Sequence, residues 1–239
     1  MKTPCFLILF SLLIVVMLSS CKKDENDDPK PKDPTEEVVP PDDDPVTGTV
    51  IGEISETVFT ENLSTTTITL SRLPHSLARF LELRNQVAHT PQGAAAMMVV
   101  AINIYKQYPV EGMKCLTANC TNPLVVPATN NAGAYEGYVM GNTSELQRKL
   151  KDYPHLPNIY FSGASPANQY TPAAPPYTLE LATNLYSYQS STDGSTRIKL
   201  FISTLGADSP RPVVVRKTGD YYMVTEYSSL YLAPKPMMP

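Results

Sequence analysis

Apolar and polar positions along this chain change their period several times, and each change marks an element. From Phe6 to Leu18, twelve of thirteen residues are apolar, and only Ser11 interrupts the run. From Lys22 to Pro45 the pattern inverts: twenty of twenty-four residues are charged or proline, with Val38 and Val39 the only apolar positions. Thr57 to Leu70 is rich in threonine and ends with alternating Ile68 and Leu70, which predicts one or two strands. Leu77, Phe80, Leu81, Val87 and Ala88 then fall near one stripe of a helix that opens around Pro74 and ends near Ala88. Thr90-Pro91 supplies a cap and a first-turn proline. Gly93 to Tyr105 is apolar on nearly every face, which predicts a buried central helix that Pro109 ends. A short third helix is expected from Val110 to about Thr117. A fourth opens at Asn142, with Glu145 three residues on in a capping-box-like arrangement, and ends before Pro154.

Pro154 to Pro176 carries six prolines around Tyr160, Phe161 and Tyr170 and is expected to be a long structured loop. Beyond it the period is two. Leu179 and Leu181 alternate, as do Ile198, Leu200 and Ile202, with a turn at Ser191-Thr192-Asp193-Gly194 between the two sets. Val213 to Lys217 and Tyr221 to Tyr227 flank Thr218-Gly219, which is read as a two-residue hairpin loop. In that register Lys217 faces Asp220, Val215 faces Tyr222, Val213 faces Val224 and Arg211 faces Glu226. The last pair is therefore expected partly buried at the end of a core-facing sheet. Helices followed by a meander of at least four strands make residues 46–239 a single α+β domain, its N-terminal helices packed on one face of a curved C-terminal antiparallel sheet. This order resembles the cone-shaped nuclear-transport-factor-2-like fold, a common host for small pockets.

The N-terminal run is too short for a bilayer, which needs about 20 apolar residues, and it follows Lys2, so residues 1–20 read as an export signal. Leu18-Ser19-Ser20-Cys21 resembles the lipobox of bacterial lipoproteins, which implies cleavage before Cys21 and lipidation of its thiol. The membrane is then a partner through the lipid. Residues 21–45 are expected to form an acidic, proline-rich, solvated tether. Lys22-Lys23-Asp24-Glu25 resembles the short signal that sends lipoproteins of certain Gram-negative gut bacteria to the outer surface, which implies an outer-membrane lipoprotein facing the cell exterior. Four lysines against ten acids charge the segment from Lys22 to Pro45 by −6, so with Lys2 set aside the remaining 194 residues carry +1 of the chain's −4. A nearly neutral domain argues against a nucleic-acid partner.

Chemistry is sparse. His75 and His89 lie fourteen residues apart on one expected helix, about 21 Å along its axis, so they cannot share a metal. No serine sits in a nucleophile elbow and no glycine run cradles a phosphate, so no catalytic residue, metal or cofactor is assigned. Once Cys5 leaves with the signal and Cys21 is lipidated, Cys115 and Cys120 remain. They are either a disulfide across a helix end or two buried free thiols. With fourteen Tyr, six Phe and no Trp, the candidate binding residues are Tyr160, Phe161 and Tyr170 on the loop, together with Arg211 and Glu226, whose guanidinium could hold a carboxylate.

Three stretches, Gly163 to Pro172, Gly206 to Val213 and Val224 to Leu230, resemble an uncharacterised bacterial domain family, a domain of unknown function covering about Leu73 to Leu230. That family brings no assigned catalytic residues. The expectation is a non-enzymatic binding or accessory module contacting a glycan, peptide or envelope protein. The alternatives are a hydrolase with a pocket of the nuclear-transport-factor-2-like kind and a structural envelope protein.

Overall fold

The computed structural model describes residues 37–55, 65–130, 132–190 and 196–238. The export signal, Cys21, residues 22–36 and the turn expected at 191–194 lie outside the described residues. In chain order the elements are β1 (Gly48–Ile51), β2 (Thr65–Leu70), α1 (Leu77–Val87), α2 (Pro91–Gln107), α3 (Pro109–Asn119), β3 (Val125–Pro127), β4 (Tyr138–Met140), α4 (Ser144–Asp152), β5 (Tyr177–Ala182), β6 (Tyr188–Ser190), β7 (Thr196–Ile202), β8 (Arg211–Thr218) and β9 (Tyr221–Glu226). The main sheet is antiparallel in the order β1-β2-β5-β7-β8-β9, with β6 also paired to β7, and β3 and β4 form a separate hairpin. The sheet curls into a half-barrel against the helices, so the architecture is the α+β one that the periodicities predict.

Helix α2 is the axis of the core. Thr90 Oγ1 accepts the Gly93 N–H at 3.1 Å, Pro91 opens the first turn, and every residue from Pro91 to Tyr105 is buried. A helix apolar all round must be enclosed on every side. The helix packs against β2, β7, β8 and β9 and against its neighbours α1 and α3. Pro109 ends α2 by taking the first turn of α3, where its missing N–H is no loss. The two helices approach closely at Gly112, where an added Cβ would lie 2.1 Å from Tyr105 Cα. At α4 the expected capping box does not form. Thr143 makes no side-chain cap bond, Asn142 Oδ1 accepts from Ser144 N, and Glu145 pairs instead with Arg148 at 2.6 Å.

The last hairpin corrects the expected register. Its loop is Gly219-Asp220, so Thr218 faces Tyr221, Lys217 faces Tyr222 and Val215 faces Val224, with a bulge between Val214 and Val215. Gly219 sits at φ +62, a conformation glycine adopts without a Cβ clash. The two-residue slip preserves strand parity, so Val213, Val215, Tyr222 and Val224 are all buried as expected. It separates Arg211 from Glu226: Arg211 pairs with Ile202 on β7, and exposed Glu226 lies across from Val214.

Residues 37–45, expected as part of the tether, lie against the domain. The Asp42 carboxylate, 3% exposed, meets Arg72 Nη1 at 2.6 Å and accepts the His75 N–H, the Ser76 N–H and the Ser76 hydroxyl. Glu37 accepts the Val110 and Glu111 N–H groups at the start of α3, where a carboxylate complements the exposed helix N–H groups. Acidic composition predicts solvation only when the charges lack partners. Here two helix starts and Arg72 provide them.

Candidate functional site

The loop aromatics act as pins. Tyr160 and Phe161 are buried, and Tyr170 is fully so. Tyr160 Oη donates to Leu230 O at 2.6 Å, and Tyr170 Oη donates to Lys235 O at 2.8 Å while its ring stacks on His155 at 4.9 Å. Phe161 tilts against Tyr177 at 5.6 Å. Burial raises the Tyr160 phenol well above its usual range. A cleft of about 400 Å³ does run beside this loop, lined by Ile159 to Ala164, Glu180, Ser203, Thr204, Leu205 and Pro210. Its one tyrosine, Tyr160, has its hydroxyl engaged with Leu230 O, and Thr204 Oγ1 donates to Ile159 O, so neither hydroxyl donates into the cleft.

Cys115 and Cys120 are free thiols, both buried. Helix α3 does end between the two, at Asn119, but Cys120 leaves it in extended conformation to bridge Val224 and the two thiols stay unpaired. Cys120 Sγ lies 3.8 Å from Met98 Sδ. Burial pushes both thiols up. His75 approaches Asp42, and His89 Nδ1 lies 2.9 Å from Asp220 O, so that nitrogen carries the proton in this bond. For His155, burial first and Lys106 second lower the pKa. Among the described residues no group of three His, Cys, Asp or Glu gathers where a metal ion could bind.

A second site lies apart from that loop. Two adjoining hollows share Ala118, Tyr135, Glu136 and Met223. One, of about 570 Å³, extends to Cys120, Asn122 and Val126, and the other, of about 330 Å³, extends to Leu81, Arg84, Asn85 and Tyr221. Together they form a groove bounded by α1, the end of α3, the β3–β4 turn and the β8–β9 hairpin. Volumes of about 300–1,000 Å³ are those of small-molecule sites.

Arg84 is the unusual residue of this groove. It is 8% exposed, and its Nε has no hydrogen-bond partner. Its Nη2 donates to Met223 Sδ at 2.9 Å, a weak acceptor, and its guanidinium carbon lies 4.5 Å from the Tyr221 ring centroid. His89 stacks on the same ring at 4.4 Å. Among the described residues no carboxylate stands within ion-pair distance of Arg84. Burial lowers its pKa, partly countered by Tyr135, Tyr221 and Glu136, yet a guanidinium stays charged in proteins.

The opposite wall is a tight turn in which Tyr135 and Tyr138 exchange both backbone bonds, at 2.9 and 3.0 Å. Its central residues are Glu136 at φ +48 and Gly137 at φ +81, so a non-glycine residue occupies the left-handed region. Tyr138 is 50% exposed beside it. Burial and the hydrogen bond to Glu136 raise the Tyr135 phenol. Sequence reasoning missed this site, although one signal was present: Arg84 follows Phe80 by four residues and so falls on the apolar stripe of α1, where a charge needs a reason.

A family described as domain of unknown function DUF6935 matches residues 72–238, more than half of the chain, and the chain belongs to that family. No curated protein and no solved structure matches it.

Proposed function

We propose that this member of the family is a non-enzymatic binding module held to a bacterial outer membrane through lipid on Cys21 and facing the cell exterior. The Leu18-Ser19-Ser20-Cys21 lipobox pattern and the Lys22-Lys23-Asp24-Glu25 signal support the anchor. The binding role rests on one observation: an open groove with tyrosine faces surrounds a buried guanidinium that no carboxylate of the described chain neutralises. Aromatic faces with a few polar groups are the surface of a ligand site. The element order also fits a nuclear-transport-factor-2-like cone, although fold by itself carries no activity.

The test offers the immobilised full chain a panel of bacterial and host polysaccharides and peptides, with Tyr138→Ala as the groove variant. The reading predicts that at least one panel member is retained intact and that Tyr138→Ala releases it. Retention of none, or shortening of the retained polymer, contradicts it, and shortening would favour the hydrolase.

A further inference from the structure

We propose that the groove takes a carboxylate-bearing sugar, a uronic-acid unit, with the Arg84 guanidinium holding its carboxylate. This rests on the binding reading above and names its ligand. Arg84 lines the groove, is 8% exposed, leaves Nε unpartnered and meets only a thioether through Nη2. A cation stripped of water in this way lacks an anion, and a carboxylate fits the guanidinium fork with two parallel bonds. A phosphate dianion fits less well. Glu136 stands in the same wall with its charge acting on Arg84, and a double charge meets that repulsion twice.

The rest of the ligand follows from what lies free beside Arg84. The edge of β9 beside the groove is engaged: Thr121 N donates to Val224 O and Tyr222 N to Ala88 O. Those bonds close the β9 edge there and with it one route by which an extended peptide is held. The exposed Tyr138 ring and the exposed side chains of Asn85 and Asn122 remain open to the groove. A pyranose offers its C–H face to the first and its hydroxyls to the second, while its carboxylate reaches Arg84.

Isothermal titration of the full chain in detergent with glucuronate, its methyl ester, glucose and a galacturonate trimer tests this. Glucuronate should bind at least about tenfold tighter than ester or glucose, the factor that a hydrogen-bonded charge supplies, and Arg84→Gln should lose that advantage. Glu136→Gln removes a like charge, so it should tighten the acid and leave glucose unchanged, a response that a damaged fold would not give. A trimer tighter than the single sugar points to a polymer, and equal affinities point to a free sugar acid. Either supports the carboxylate. If acid, ester and glucose bind alike and all weaken in Tyr138→Ala, the carboxylate assignment fails while the groove stands. If none binds, or Tyr138→Ala changes nothing, both fail.

Discussion

The Arg84 guanidinium carbon sits 4.5 Å from the centroid of the Tyr221 ring, so a helix of the N-terminal half holds a charge under the last hairpin of the sheet. That contact does not explain why a charge is buried there. A cation–π pair is worth about 0.5–2 kcal/mol, whereas an unpaired buried ion is penalised by several.

Arg84→Met, which keeps an apolar stem and removes the charge, is therefore expected to leave stability within about 1 kcal/mol of the parent or to raise it. Chemical denaturation measures this. A loss above about 3 kcal/mol would make Arg84 a structural residue.

The Asp42 contact gives the domain an acid limit. Burial pushes its carboxyl up, but hydrogen bonds from the His75 backbone, Arg72 and Ser76 outweigh burial and leave the pKa below its usual value. A group depressed in this way contributes stability that is present above the unfolded value, about 3.9, and is lost as pH falls through the lower folded value. Asp42→Ala should cost about 1.5–3 kcal/mol at neutral pH, flatten the melting temperature against pH below about 4, and open residues 37–45 to proteolysis. An unchanged acid profile would contradict the contact.

Gly112 is fixed by proximity rather than by its φ. An added Cβ would lie 2.1 Å from Tyr105 Cα and 2.2 Å from Tyr105 N, both backbone atoms that cannot swing away. Gly112→Ala should cost about 3 kcal/mol or more, at or beyond the upper range of overpacking. A thermal melt within about 1 kcal/mol of the parent would show that α2 and α3 pack less closely.

Local chemistry was legible where it acts locally. Thr90-Pro91 predicted the start of α2 because cap and proline work within one turn, and the strand parity of Val213, Val215, Tyr222 and Val224 survived a wrong register because a two-residue slip returns each side chain to the same face. The slip itself was not legible, since Thr218-Gly219 and Gly219-Asp220 are both turn dipeptides and the Val214/Val215 bulge leaves no residue signature. Strands β3 and β4 are three residues each, too short to show a period, and β3 ends in Pro127. The groove was hidden for a tertiary reason. Arg84, Tyr135 and Tyr221 come from three distant segments, and the obvious aromatic cluster at Tyr160, Phe161 and Tyr170 anchors the loop instead.

Cys115 and Cys120 should be inert in the folded protein. Burial raises Cys115 and Cys120 well above the usual thiol range, and the thiolate is the reactive form. Neither should react with iodoacetamide at pH 8 in native buffer, and both should react in denaturant without reductant. A pair that needs reductant before it reacts would be a disulfide.

Chemical-shift mapping of the isotope-labelled full chain, titrated with whichever polymer the panel retains, reads the site directly. The account predicts shifts concentrated at Arg84, Ala118, Tyr135, Glu136, Tyr138, Tyr221 and Met223, with Ile159 to Ala164 unmoved. Shifts centred on Ile159 to Ala164, or none in the groove, would contradict it.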